Sequence, residues 1–444
     1  MSEVAATKEE KVDVTRIKHA NDDNAKVKTW VDLAESRKGK NVFDDSRVNY
    51  RICKQCIMDT SDPEIMFDED GVCNHCHDYE LRMTKEVFTP EEGEKLLNET
   101  IKKIKEEGKG KKYDCILGLS GGVDSTYVAY LCKRVYGLRP LAVHLDNGWN
   151  SEVAVRNIEN IVTKLDIDLY TEVLNWEEFR RLQLSFLRAS TPDSEIPTDH
   201  AIISTLYNQA KKHGIRWLMD GSNVVTEAMI PATWSHGHSD WKYIKTLNKM
   251  FGDGNKLKTY PHYTYFQYLF EYPKLRKLVR FPILNYIDFN KHAAMEVMKK
   301  ELDWEPYGGK HYESIYTRFY QGYMLPTKFG FDKRRGHLSC LVNNGLITRD
   351  DALREIQQPA IDEELQKEDR AFVIKKLRIT EEEFEKIMTA ERKTFWDYPS
   401  YERDVRKAPQ WLILFAVKAL LRSPKGAAKG VLRRARRILS GQKR

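Results

Sequence analysis

Two groups of residues in this chain have the types and spacing to do chemistry. The first is Ser120-Gly121-Gly122-Val123-Asp124-Ser125, which follows an apolar run and opens a helical pattern. Two successive glycines let something approach the backbone closely. Amides gathered at the start of a helix then form an anion site, to which Ser120 and Ser125 add hydroxyl donors. Asp124 would repel a phosphate unless a cation intervened, so Mg2+ is the expected companion. The bland alternative is a Gly-Gly turn with an Asp cap; the strand before it and the helix after it weigh against that reading. No GKS or GKT follows the glycines, so this is not a Walker loop.

The second group is Cys53, Cys56, Cys73 and Cys76, two CxxC pairs separated by sixteen residues. Each pair can hold one tetrahedral ion through both sulfurs, which points to a structural Zn2+ with no open position for catalysis. His75 and His77 flank Cys76 and could replace one sulfur. Cys115 falls in a strand and Cys132 in a helix, where packing is the expected role; Cys340 is undecided.

These residues must be positioned by the elements around them. From residue 113 apolar runs alternate with helical stretches: "YDCILGLS", a helix to about Val135, "RPLAVHLDN", a helix from Glu152, "DLYTEVLN", and helices near 176–189 and 199–213. "IRWLMDG" and "RFPILNY" are the next buried runs. Such alternation predicts an α/β fold, a doubly wound parallel sheet with helices on both faces, whose ligands bind outside the carboxyl ends of the strands. Candidates on that rim are Asp146 and Asn147, which also suit an Asp-Asn turn, Asp199 and His200, where Asp199 also suits a helix cap, and Asp220, Gly221, Ser222 and Asn223. Five regions are expected: a polar arm (1–48), a zinc ribbon (49–88), the sheet domain (89–290), a helical substrate-binding region (291–405) and a basic amphipathic tail (406–444).

Composition bounds the class. The 444 residues are 41% hydrophobic and carry a net charge of +7. Twelve Lys or Arg and no acidic residue lie between Arg406 and Arg444, so the rest of the chain has 61 positive against 66 negative charges. A mildly acidic body does not suggest a nucleic-acid groove. The polar start shows no secretory pattern, and the apolar run Trp411 to Leu421 falls short of the roughly 20 residues a spanning helix needs. A cytoplasmic protein is expected. In the tail, Val431, Leu432, Ala435, Ile438 and Leu439 oppose Arg433, Arg434, Arg436 and Arg437, which suits a membrane-surface helix, a partner-docking helix or an RNA-binding tail.

"SGGVDS" is the SGGxDS signature of the PP-loop ATP pyrophosphatases, which bind ATP, adenylate a substrate oxygen, release pyrophosphate and let a nucleophile displace AMP. Together with the four cysteines, "HLDNGW", "PTDHA", "DGSN" and "YGGKHYESIYTRFYQGYMLPTKFGFDKRRGH", it resembles the N-acetyl sugar amidotransferases of bacterial surface-polysaccharide biosynthesis over residues 50 to 400. The resemblance implies ATP and Mg2+ at Ser120, Gly121, Gly122, Asp124, Ser125, Asp146, Asn147, Asp220, Gly221 and Ser222. Asp124, Ser125, Lys310 and His311 are the catalytic candidates. A nucleotide-linked acetamido sugar is expected at Asp199, His200, Asn223, Arg318, Lys333, Arg334 and Arg335, with Tyr312, Glu313 and His337 close by. A solvated basic turn would equally explain "DKRRGH", and Tyr316, Phe319, Tyr320 and Tyr323 have the spacing of a helix core.

Ammonia needs a source. Met1-Ser2 offers no amino-terminal cysteine nucleophile, so a partner glutaminase and a channelling subunit, similar to those of imidazole glycerol phosphate synthase, are expected. A tRNA thiolase is the rival within the same family, but no second ribbon follows the core and no cysteine is plainly placed by the nucleotide. A non-catalytic zinc module is a second rival, which leaves the phosphate loop unexplained.

Overall fold

The computed structural model describes residues 50–309 and 312–407. The expected arm, most of the basic tail, and the catalytic candidates Lys310 and His311 lie outside the described residues.

Five strands, β1 Cys115–Gly118, β2 Pro140–Asp146, β3 Asp168–Val173, β4 Trp217–Asp220 and β5 Val279–Pro282, form one sheet. Their order is β3-β2-β1-β4-β5 and every pairing is parallel. This is the doubly wound sheet the alternating pattern predicts. The central strands read as unbroken apolar runs because both faces are covered. Cys115, Leu117, Ala142 and Met219 pack to one face, and Ile116, Leu141, Val143 and Leu218 to the other.

The helices, in chain order, are α1 Asn74–Glu86, α2 Pro90–Glu107, α3 Val123–Tyr130, α4 Glu152–Leu165, α5 Trp176–Arg188, α6 Ile196–Lys212 and α7 Trp241–Phe251. One short helical turn, Val224–Glu227, precedes α7. Beyond the sheet come α8 Lys291–Leu302, α9 Ile315–Phe319, α10 Arg334–Asn343, α11 Arg349–Gln357, α12 Glu363–Leu377, α13 Glu381–Thr389 and α14 Tyr401–Lys407. Local sequence explains their starts. The Ser151 hydroxyl accepts from the Ala154 N–H at the head of α4, and the stripe Ile158, Ile161, Leu165 then packs into the core on the sheet. Asn175 and Asp240 cap α5 and α7 in the same way.

Helices α2, α3, α4 and α8 cover one face, while α6, with Tyr263 and Tyr272, covers the other. The chain runs from β1 outward to β2 and β3, then returns over the opposite face through α6 to β4. The strand order therefore reverses between β1 and β4, where open α/β sheets bind ligands.

Before the sheet, the four-cysteine segment has two single antiparallel bridges, Ile52 to Asp59 and Phe67 to Cys73. Its second cysteine pair sits at the start of α1, with Cys73 as the cap residue. Arginines from the carboxyl-terminal helices clamp it. Arg335 pairs with Asp59 at 3.0 Å and donates to the Ile57 carbonyl at 2.8 Å. Arg349 donates to the Cys53 and Cys56 carbonyls at 2.8 and 3.0 Å.

Candidate active site

The loop after β1 closes on itself through hydroxyls. Ser120 and Ser125 hydroxyls lie 3.1 Å apart, the Gly122 N–H donates to Ser120 Oγ at 3.3 Å, and the Ser125 hydroxyl donates to the Gly122 carbonyl at 3.2 Å. Gly121 has φ +79°, and a Cβ there would stand 2.7 Å from the Ala154 carbonyl oxygen, so only glycine fits. The Gly121 carbonyl points the other way and accepts from Trp304 Nε1 at 2.9 Å.

At the head of α3 the Val123 N–H donates to the Tyr307 hydroxyl oxygen at 3.2 Å. A Cβ on Gly122 would lie 3.1 Å from Ser120 Oγ, 3.2 Å from Tyr307 Oη and 3.5 Å from Glu313 Oε1. Two consecutive N–H groups at the head of α3 are thus held by the Ser120 and Tyr307 hydroxyl oxygens, a donor pair of the kind that binds phosphate at helix starts. Burial and the neighbouring Glu313 carboxylate push the Tyr307 phenol far above its ordinary value, so it stays a neutral hydroxyl. Sequence reasoning missed Trp304 and Tyr307 as site residues; the aromatics of "WEPYGG", which runs into the insert that Tyr307 opens, were the available signal.

The rim assembles around this loop. Asp146 accepts from the Gly148 N–H at 2.9 Å, and Asn147 accepts from the Trp149 N–H at 3.1 Å, which is the Asp-Asn turn. The Asn147 amide also donates to Thr198 Oγ1 at 3.1 Å, tying the end of β2 to the start of α6. His144 Nδ1 bonds the Leu119 carbonyl at 2.9 Å and so links β2 to the loop; burial lowers its pKa. On the other side Ser222 donates to Asp220 twice, and Arg280 of β5 holds the Asp220 carboxylate. Gly221 lies against Asp124, its notional Cβ 3.3 Å from the Asp124 carbonyl carbon. Asn223 faces inward as the cap of Val224–Glu227, accepting from Thr226 N–H at 2.9 Å.

His200 does not face the crevice. It is fully buried, stacked at 4.1 Å on Tyr263. Its Nδ1 donates to the His238 carbonyl at 2.7 Å and its Nε2 accepts from the Tyr263 N–H at 3.3 Å. Burial drives its pKa down to about 3, so the ring is neutral and serves the core. The neighbouring Asp199 instead meets His238 Nε2 at 3.2 Å, and Asp193 meets the same atom at 3.1 Å. Burial opposes charge on His238, but the two carboxylates outweigh it and push the pKa up to about 10. His238 went unread in the sequence; the Ser- and His-rich run "SHGHS" was its only trace.

Several basic candidates are committed within the protein. Arg318 makes a two-pronged pair with Asp369 at 2.7 and 2.6 Å. Arg334 grips Asp332 and the carbonyls beyond α11, and Arg335 clamps the cysteine segment. The expectation that these guanidiniums meet substrate does not match this geometry, because local carboxylates already satisfy them. Lys333 precedes α10 and lies close enough to Asp193 and Glu195 to influence both. Tyr316, Phe319 and Tyr320 are core residues.

The four cysteines meet. Their sulfurs lie within 4.8 Å of one another and all are buried. Adjacent sulfurs stand 3.7 to 3.8 Å apart, the edge of a tetrahedron with metal–sulfur bonds of about 2.3 Å. The residues present therefore fit Zn2+. His75 and His77 turn away to Asp62 and Asp68 at 2.7 and 2.9 Å, so neither replaces a sulfur.

Residues 94–182 match the NAD synthase family. The fold is that of the PP-loop ATP pyrophosphatases. Residues 313–412 match the family of LPS biosynthesis protein WbpG-like carboxyl-terminal domains. An uncharacterized protein of Methanocaldococcus jannaschii, MJ1599, is 23% identical over 324 residues, covering 71% of this chain and 96% of that one. Among solved structures, NMN synthetase from Francisella tularensis is 20% identical with a TM-score of 0.24, over 31% of this chain and 56% of its own. An NH3-dependent NAD synthetase from Campylobacter jejuni, in complex with nitrate, is 20% identical with a TM-score of 0.24, over 30% and 58%. The chain thus spans a little over half the length of these two structures.

Proposed function

We propose that this protein is an ATP-dependent amidotransferase that converts the acetamido group of a nucleotide-linked sugar to an acetamidino group in lipopolysaccharide biosynthesis. The observation that carries the reading is the loop at Ser120 to Ser125, at the carboxyl end of the central strand, where the Gly122 and Val123 N–H groups, bonded to the Ser120 and Tyr307 oxygens, open helix α3 with Asp124 in its first turn. The matched NAD synthase and WbpG-like segments support a PP-loop enzyme that uses ATP in that pathway. The finer reaction rests on the resemblance of the motifs.

An amide carbon is a weak electrophile with a poor leaving group. Attack of the acetamido oxygen on the α-phosphorus of ATP, with loss of pyrophosphate, corrects both faults; ammonia then adds to the carbon and AMP leaves with the oxygen. In this scheme the loop amides and hydroxyls cradle phosphate oxygens and stabilise charge as it develops. Asp124 would hold Mg2+, which supplies neutralisation between carboxylate and triphosphate. The cysteine cluster would hold Zn2+ as a structural clip. A separate glutaminase with a channelling subunit would supply ammonia. We place the enzyme in the cytoplasm, where the tail could rest on the inner membrane face; among the described residues no helix is long and apolar enough to cross a membrane. Nucleic acid is not an expected partner.

The thiolase alternative gains nothing from the structure. Cys115, Cys132 and Cys340 are buried and the remaining cysteines are clustered, so among the described residues none offers a thiol at the loop.

The test is incubation with ATP, Mg2+, ammonium and a panel of UDP-diacetamido sugars, read by mass. Replacement of oxygen by NH lowers the sugar's mass by one unit, with AMP and pyrophosphate formed in equal amounts. Asp124→Ala should abolish AMP release with the fold intact. Thiolated tRNA, or ATP left intact with every acceptor, would overturn the proposal.

A further inference from the structure

Beside the loop and rim lies a cavity of about 220 Å³, walled by Tyr207, Tyr268, Ser235, His238, Ser239 and Arg280. Its contacts join it to the site on two sides. Arg280 holds Asp220, whose neighbour Gly221 packs on Asp124. His238 meets Asp199 at 3.2 Å, one residue from Thr198, which bonds Asn147 on the nucleotide side of the rim. The cavity thus lies between α6, residues 235–239 and Arg280 of β5, and is linked to the phosphate loop through Asp220 and Gly221.

Size, charge and surface select the occupant. Drug-sized ligands need pockets of roughly 300–1,000 Å³, so this one takes a single ring and not a whole nucleotide sugar. Both of its cations are already compensated, Arg280 by Asp220 and His238 by Asp193 and Asp199. A phosphate or diphosphate would meet those carboxylates and be repelled. Tyr207 and Tyr268 line it with aromatic rings, and the Ser235 hydroxyl, which donates to Asp193 at 2.7 Å, keeps lone pairs that can accept. A neutral, hydroxylated ring with one apolar face matches that surface.

We propose that this cavity seats the acetamido-bearing pyranose ring of the acceptor, while its nucleotide lies outside. The assignment rests on the amidotransferase reading above and adds to it the place of the sugar. Helix α6 then contributes through Ile203 and Tyr207, one and two turns beyond Asp199 and His200, where the sequence placed the substrate.

Two variants of the full chain test it. Ile203→Trp fills the cavity from α6, and Tyr268→Ala strips one aromatic wall from its rim. Calorimetric titration, in the presence of a non-hydrolysable ATP analogue, compares a UDP-linked N-acetylhexosamine with UDP alone. Both variants should weaken the linked sugar about tenfold or more and leave UDP and the ATP analogue within about twofold of wild type. Should Ile203→Trp fail to fold, Tyr268→Ala carries the test. Unchanged affinity for the linked sugar overturns the assignment while the amidotransferase reading stands. Equal losses for UDP and the linked sugar would place the nucleotide in the cavity and also overturn it. Wild-type protein that binds the ATP analogue but no acetamido sugar overturns both.

Discussion

Gly121 shows how a single residue holds the phosphate loop. Its φ of +79° lies in the left-handed region, and the Ala154 carbonyl stands where a Cβ would go. The left-handed conformation alone costs an ordinary residue about 1–2 kcal/mol. Gly121→Ala should therefore lower stability by about 2 kcal/mol and weaken ATP binding more than Val123→Ala does, measured by denaturant titration and by equilibrium binding of a non-hydrolysable analogue. His238 makes a prediction about pH. It faces Asp193, Asp199 and Ser235, and it packs against His200, which is neutral. Its folded pKa of about 10 lies above its ordinary 6.5. The stabilisation is thus complete below about pH 6.5 and lost as pH rises through 10. His238→Gln should cost most stability near pH 6 and least near pH 10, by thermal melts across that range. Asp193 is shifted oppositely: burial raises its pKa, but His238 lowers it more, so its contribution fades only on acidification.

At the scale of elements, the carboxyl-terminal helices act as a clamp. Arg335 of α10 is mostly buried and meets Asp59, also buried, at 3.0 Å. Removing one partner strands the other charge, a loss of about 3 kcal/mol for buried pairs. Arg335→Ala should destabilise the protein by that order, and Arg335→Lys should recover part, since it keeps the charge but not the fork that also reaches the Ile57 carbonyl. Were Arg335 a substrate ligand instead, the variant would keep its melting temperature and lose only affinity for the sugar nucleotide. The α10 segment "KRRGH" reads in the sequence as either an anion site or a solvated turn. The partner that decides, Asp59, lies far earlier in the chain, and no local spacing announces it.

Among the described residues, one buried cluster reaches across three of the expected regions. A single apolar cluster contains Cys53 and Tyr79 from the cysteine segment, Trp149 and Phe179 from the sheet domain, and Tyr316 and Phe384 from the carboxyl-terminal helices. Expected regions that are separate along the sequence are therefore joined in packing. Calorimetry should give one cooperative transition for the described body, and a strong chelator should move it down by several degrees as ligand linkage is lost. Cys53→Ser should bind no stoichiometric zinc and melt at the chelated protein's temperature. Independent melting of the cysteine segment would contradict this coupling.

Some of this was written along the chain itself. The strand runs, the helix between Asp124 and the second strand, the four cysteines and the phosphate loop all depend on neighbours within a few positions, where periodicity and turn chemistry act. Two features required the folded chain. The Tyr307 hydroxyl at the Val123 N–H lies 184 residues from its partner, and His200, offered as a site residue by the motif "PTDHA", is sealed among aromatics from two later segments. Short-range pattern sets which element forms and which residues it can offer. Which of those side chains meets a partner across the fold depends on packing between distant segments, and a sequence carries no spacing for that.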